Sequence, residues 1–334
     1  MDEFVYYYDY YDGNQTGNKT HMPYEYPYII VVFEVSLLFF ILAGNITVFV
    51  VIVVEGQRSR MHFFIKNLAI ADMLCGVFYL IPRIVLHFNH GLFYGGDALC
   101  KLQVFLSNIG IYGSNTIMIA LSIDRLYILL RPLGSLENRE RSPTVICCLC
   151  WLIATVVSVS GPIVFEYDEY FQACDLKLTL REIQIYFTII FIFVFVIPTI
   201  IIVGCYSTIA IIIWRVSSKT EDVELQGISS TIKHESELLT SKQHTDSSGI
   251  SNAKLKTIKM TFVIALAFVC CWAPFMIFNL LSVYDKVPAM EPGSLFIQGL
   301  LPLNSVVNPL IYGVFSVRVF QDCWGKFTSR LQNG

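Results

Sequence analysis

The chain has 334 residues, 55% hydrophobic and only 15% charged, with a net charge of −3 and a mean hydropathy of +0.60. That hydropathy excludes an ordinary water-soluble domain. With no basic stripe to offer, the chain is not built for nucleic acid.

The hydrophobicity is gathered into seven long apolar stretches between Tyr28 and Val317. A hydrocarbon core of about 30 Å takes roughly 20 apolar residues per helical crossing, and the bilayer offers no water to satisfy backbone groups, so such stretches fold as helices. In chain order the predicted spans are 28–54, 62–88, 98–130, 144–166, 183–214, 255–284 and 294–317. The expectation is an all-α bundle of seven transmembrane helices. Three appendages flank it. Residues 1–27 form an acidic, tyrosine-rich tail, in which Tyr6, Tyr7, Tyr8, Tyr10 and Tyr11 alternate with Asp and Glu. This pattern suits tyrosine sulfation or a merely solvated leader. No basic and apolar leader precedes span 1, which would then act as the targeting signal. Residues 217–253 read as a flexible, serine-rich cytoplasmic loop. Residues 318–334, with Phe320, Trp324, Lys326 and Phe327, read as a short amphipathic eighth helix lying on membrane lipids, where Cys323 is either palmitoylated or a plain thiol.

Basic residues set the orientation. Arg58, Arg60, Arg131, Arg139, Arg141, Arg215, Lys219, Lys254 and Lys256 all fall on the side of the turns from span 1 to 2, 3 to 4 and 5 to 6. That side is expected to be the cytoplasm, leaving the N-terminus outside. The sequons at Asn14 and Asn18 are then glycosylation candidates. Of ten cysteines only Cys100 and Cys174 fall on the outer side, where an oxidising milieu favours their pairing.

Polar residues inside spans cost about 2.5–3.5 kcal/mol each on insertion scales and call for a reason. They coincide with motifs: Gly44-Asn45 in span 1, Asn67-Leu-Ala-Ile-Ala-Asp72 in span 2, Asp124-Arg125-Leu126 in span 3, Trp151 in span 4, Pro198 and Tyr206 in span 5, Cys271-Trp272-Ala273-Pro274 in span 6, and Asn308-Pro309-Leu-Ile-Tyr312 in span 7. This series, one landmark set per helix, resembles the rhodopsin-like (class A) G-protein-coupled receptors over 28–327. Transporters of similar span count bring internal repeats instead, and none is evident.

The resemblance implies roles. Arg125 would pair with Asp124 at rest and turn to a heterotrimeric G protein and Tyr206 when active; Leu126 departs from the usual aromatic. Phe268 and Trp272 would form a packing switch, and Asn308, Pro309 and Tyr312 would rearrange with it. Asp72, Ser114, Asn304, Ser305 and Asn308 match an allosteric sodium site, the alternative being a protonated Asp72 in a hydrogen-bond network. A receptor kinase and arrestin would act on the cytoplasmic side. No catalysis is implied, and no other cofactor. The location implied is the plasma membrane.

Two departures narrow the ligand. Pro302 stands where opsins carry the retinal lysine, and Ser107 stands where amine receptors carry aspartate. Arg58-Ser-Arg-Met-His-Phe-Phe-Ile-Lys-Asn-Leu-Ala-Ile-Ala-Asp72, Phe93-Tyr94-Gly95 and Ser282-Val-Tyr-Asp-Lys-Val-Pro288 resemble the vasopressin/oxytocin, neuropeptide S and crustacean cardioactive peptide receptors. The resemblance implies a neuropeptide ligand and calcium-mobilising coupling; a lipid or other small molecule is the alternative. The expected ligand contacts are Glu34, Tyr79, Arg83, Ser107, Asn108, Ile111, Trp272, Phe275 and Asn279. For Glu34 and Arg83, simple pairing with each other is an equal reading.

Overall fold

The computed structural model describes residues 28–55, 60–130, 141–231, 252–284, 296–297 and 299–315, with side chains left undescribed at residue 55, at 141–142 and in the stretches 216–231 and 252–257. The expectations for the N-terminal tail, Asn14, Asn18, Arg58, 131–140, Cys323 and the eighth helix lie outside the described residues.

Each apolar stretch is helical. Helix α1 is Tyr28–Glu55. Helix α2 begins at Arg60–Cys75, passes through a π-helical stretch at Gly76–Leu80 and continues as Ile81–Phe88. Helix α3 is Gly96–Leu130, and α4 is Arg141–Ser158 followed by a short Ser160–Val164 segment. Helix α5 runs from Leu180–Ile190 through a π-helical stretch at Phe191–Val196 into Ile197–Thr231. Helices α6 (Asn252–Val283) and α7 (Leu303–Phe315) complete the bundle. Six of these helices are long and apolar enough to cross a membrane, and α7 is a shorter apolar helix.

Several boundaries differ from the sequence reading. Span 4 stops at Val164 because Phe165–Asp168 (β1) pairs antiparallel with Ala173–Leu176 (β2). Asp168 closes the turn between them by accepting the backbone N–H groups of Tyr170 and Phe171. Helix α5 starts earlier than 183 because Thr179 and Glu182 form a capping box, which satisfies two of the N–H groups a helix start leaves open. Next to the expected 217–253 loop, the α5 backbone is helical to Thr231 and α6 begins at Asn252, and residues 232–251 lie outside the described residues. Residues 218–231 contain no proline to interrupt the hydrogen-bond ladder. Span 7 was expected from 294, but α7 itself begins at Leu303, after turns in which Leu300 and Leu303 donate to Ile297 and Leu300.

The buried core runs down the bundle axis through Ile41, Leu80, Ile111, Met118, Phe268, Trp272, Phe275 and Tyr312. A second cluster at the outer end joins Cys100, Phe165, Leu176, Ile183, Phe187 and Val283, so the hairpin packs on α3, α5 and α6. The Cys100–Cys174 disulfide, with Cα atoms 5.5 Å apart, ties β2 to α3. Two glycines let helices touch. A Cβ on Gly110 of α3 would lie 2.5 Å from the backbone nitrogen of Cys75 in α2, and one on Gly44 would lie 2.8 Å from Pro309 of α7.

Candidate functional site

A pocket opens among α3, α5, α6 and the start of α7. Its lining includes Asn108, Ile111, Phe191, Val194, Trp272, Phe275, Met276 and Asn279. Five of the nine expected contacts are therefore brought together here: Asn108, Ile111, Trp272, Phe275 and Asn279. Asn279 donates to the Phe275 carbonyl at 2.8 Å, and the Trp272 indole N–H is buried without a protein partner among the described residues. Ser107 turns back onto its own helix, donating to the Val104 carbonyl at 3.0 Å.

Glu34, Tyr79 and Arg83 form a separate cluster between α1 and α2. Arg83 donates to one Glu34 oxygen through Nη2 at 2.6 Å and Nε at 3.1 Å. His87 Nε2 lies 2.8 Å from the other Glu34 oxygen, and the guanidinium sits 5.5 Å from the Tyr79 ring centroid. Of the two readings of Glu34 and Arg83, the structure shows the pair. A buried carboxylate demands such partners. The role of His87 was missed, because one histidine on an apolar helix gives no sign of what it faces.

Lower in the bundle Asp72 is fully buried and accepts three hydrogen bonds, from Ser114 Oγ and Ser305 Oγ at 2.8 Å each and Asn308 Nδ2 at 2.9 Å. Asn304 Oδ1 and Asn308 Oδ1 are buried with no protein partner among the described residues. The Asp72 carboxylate, the two hydroxyl oxygens and the spare Asn308 amide oxygen make an oxygen-rich set that fits a small hard cation such as sodium. Four of the five expected residues, Asp72, Ser114, Ser305 and Asn308, thus converge on one place. Above it Asn45 donates to the Ser305 carbonyl at 3.0 Å, joining α1 to α7.

At the cytoplasmic end Asp124 holds two arginines. Arg125 Nη2 lies 2.9 Å from one carboxylate oxygen and Arg60 Nε lies 2.5 Å from the other. Arg125 is buried, folded back into the bundle. Arg60 had been counted only as a basic flank; the approach of the α2 start to the α3 end is a tertiary fact that hydropathy does not carry. Tyr206 lies edge-on to Phe262 at 5.4 Å between centroids, and Phe268 stands 5.7 Å from Trp272. Tyr312 is almost wholly buried, with His62 edge-on at 6.3 Å.

At the outer rim Lys177 pairs with Glu166 and Lys101 with Asp97. The Asp175 carboxyl on β2 is pushed above the usual carboxylate range by burial, although it accepts the Leu176 N–H.

Residues 44–312 match the model of the 7 transmembrane receptor (rhodopsin family). The chain belongs to that family. It is 32% identical over 330 residues to the mesotocin receptor of Rhinella marina, covering 94% of this chain and 82% of the relative. It is 31% identical over 328 residues to the oxytocin receptor of Ovis aries, covering 93% and 82%. To the neuropeptide S receptor of Rattus norvegicus it is 31% identical over 304 residues, covering 86% and 76%. This rhodopsin-family chain is therefore a multi-pass membrane receptor of the peptide-receptor branch and not an enzyme.

Proposed function

We propose that the chain is a plasma-membrane receptor that binds an extracellular neuropeptide and activates a heterotrimeric G protein of the calcium-mobilising kind. The observation that carries this reading is the pairing of two sites on α3. Ile111 and Asn108 line the outer pocket, and Arg125 is held at the inner end by Asp124. One rigid helix thus connects a ligand cavity to a charged group that a cytoplasmic partner can bind once it is released. Relatives named for mesotocin, oxytocin and neuropeptide S support a peptide as the ligand.

The pocket's chemistry narrows what enters it. Its lining is aliphatic and aromatic, with amides from Asn108 and Asn279 and no carboxylate or ammonium among the described residues. A charged group there would lose hydration without gaining a counter-charge, so the inserted part of the peptide is a neutral, largely apolar side chain. The N-terminus faces outward, where the Asp and Glu residues of its tyrosine-rich tail steer a basic part of the ligand. Arg83 and Glu34, in their separate cluster between α1 and α2, contact the peptide only if their pair opens.

Activation is a population shift. The peptide and the G protein both bind best to the state in which Arg125 has left Asp124, so each raises the other's affinity. Sodium at Asp72 favours the resting state. A receptor kinase and arrestin act on the cytoplasmic face.

The test is intracellular calcium in cells expressing the chain with a promiscuous G protein. The panel holds oxytocin-like, neuropeptide S-like and cardioactive peptides, with amines and lipids as controls. A nanomolar response to one peptide family is expected. Silence to all peptides at verified surface expression, with a response to a lipid or amine, would overturn the ligand assignment.

A further inference from the structure

Gly161 backs the pocket without lining it. It lies buried in the short Ser160–Val164 segment at the outer end of α4. A Cβ built on it would lie 2.7 Å from Val104 Cγ1 and 2.8 Å from Asn108 Nδ2. Val104 and Asn108 are about one turn apart on α3, so the bare α4 backbone sits in the notch between their side chains. Asn108 is a lining residue of the pocket, and its amide occupies the space that a side chain at 161 would take.

The backbone at that notch is held from both sides. The Gly161 carbonyl accepts the Phe165 N–H, where β1 begins. Strand β1 pairs with β2, and the Cys100–Cys174 disulfide ties β2 back to α3. A side chain at 161 would therefore be accommodated by its neighbours' side chains. Val104 is branched at Cβ and stiff, whereas the Asn108 amide can turn, and the space open to it is the cavity.

The Asn108 amide is also unspent. At 5% exposure it makes no hydrogen bond to a described residue. Asn279, the other amide of the lining, gives its N–H to the Phe275 carbonyl. An amide kept from water without a partner costs free energy that a ligand returns by pairing with it. The neutral group that pairs with both halves of an amide is another amide.

We infer that Gly161 is a positioning residue that sets ligand specificity: its missing side chain gives the Asn108 amide a recess in α4, from which that amide pairs with a carboxamide or peptide group on an otherwise apolar part of the ligand. The inference rests on the proposed peptide ligand. Gly161 itself touches no ligand and acts through Asn108.

The experiment measures potency by intracellular calcium at matched surface expression, with oxytocin-like, neuropeptide S-like and cardioactive peptides as probes. Gly161→Ala is expected to move the dose response of the activating peptide to roughly fivefold higher concentration, the ratio that corresponds to one net hydrogen bond. Asn108→Ala is expected to move it as far, and adding Gly161→Ala to Asn108→Ala to move it no further. Gly161→Ala combined with Val104→Ala is expected to stay as weak as Gly161→Ala alone. An unmoved dose response in Gly161→Ala, additive losses in the double variant, or recovery with Val104→Ala overturns the inference and leaves the peptide reading standing. Where Gly161→Ala lowers surface expression, Asn108→Gln crowds the same recess from α3 and is expected to give the same loss; full potency in that variant overturns the inference equally. A parent receptor silent to every peptide at verified surface expression overturns the peptide reading, and the inference with it.

Discussion

Arg83 and Glu34, 49 residues apart in sequence, meet at 2.6 Å between α2 and α1, with the carboxylate wholly buried. Removing one member leaves the other buried charge without its main counter-charge, at a cost of up to about 3–5 kcal/mol, less what His87 returns to Glu34. Arg83→Gln or Glu34→Gln alone should lower the melting temperature of the detergent-solubilised receptor and its surface expression. The double variant should recover much of the loss, because no bare charge remains. Single variants as stable as the parent would show that the pair carries no structural weight.

Arg60 predicts a direction for basal activity. When Arg125 leaves Asp124, the carboxylate keeps Arg60, so release of Arg125 does not bare a buried charge. Arg60→Ala removes that insurance and also the repulsion between the two arginines. The resting pair should tighten, lowering ligand-independent signalling and shifting the agonist dose response to higher concentration by several fold. A rise in basal signalling would contradict the argument.

The oxygen cage around Asp72 predicts a cation effect. Replacing sodium by choline in a binding assay should raise agonist affinity several fold in the parent receptor. Asp72→Asn removes the only carboxylate in the cage and should abolish that sensitivity. Equal sodium dependence in both proteins would place the cation elsewhere.

Asp175 predicts a pH dependence of the hairpin. Burial raises its carboxyl above the ordinary range, so the folded state binds this proton more tightly than the unfolded chain does. The favourable contribution is therefore complete at acid pH and is lost as pH rises through the raised folded value. Asp175→Asn should melt at a higher temperature than the parent near neutral pH, and the two curves should converge on acidification. A gap that stays constant with pH would assign the effect to something other than ionisation.

The number of crossings and the landmark residues were legible in the sequence because each is local: an apolar run of bilayer length, or a polar residue at a fixed place within it. The convergence of Ser114, Ser305 and Asn308 on Asp72 is what the family resemblance implies. The partners of the remaining buried groups are not implied by it. Asn115 and Val194 are 79 residues apart and Arg60 and Asp124 are 64 apart, and nothing in composition or periodicity says which helix faces meet. Helix ends were misplaced for a local reason. The Thr179 capping box and the β1–β2 pairing act through single hydrogen bonds, which an average over a hydrophobic window smooths away.

Gly110 leaves no side chain between the backbones of α3 and α2 at Cys75. Two rods in direct backbone contact cannot ratchet past each other without a collision, so α2 and α3 act as one stationary frame. Asp72 rides on α2 and Asp124 on α3, so this frame sets the spacing of the two carboxylates. The two carboxylates are thus posts on one frame, the first gripped by hydroxyls and an amide and the second by two arginines.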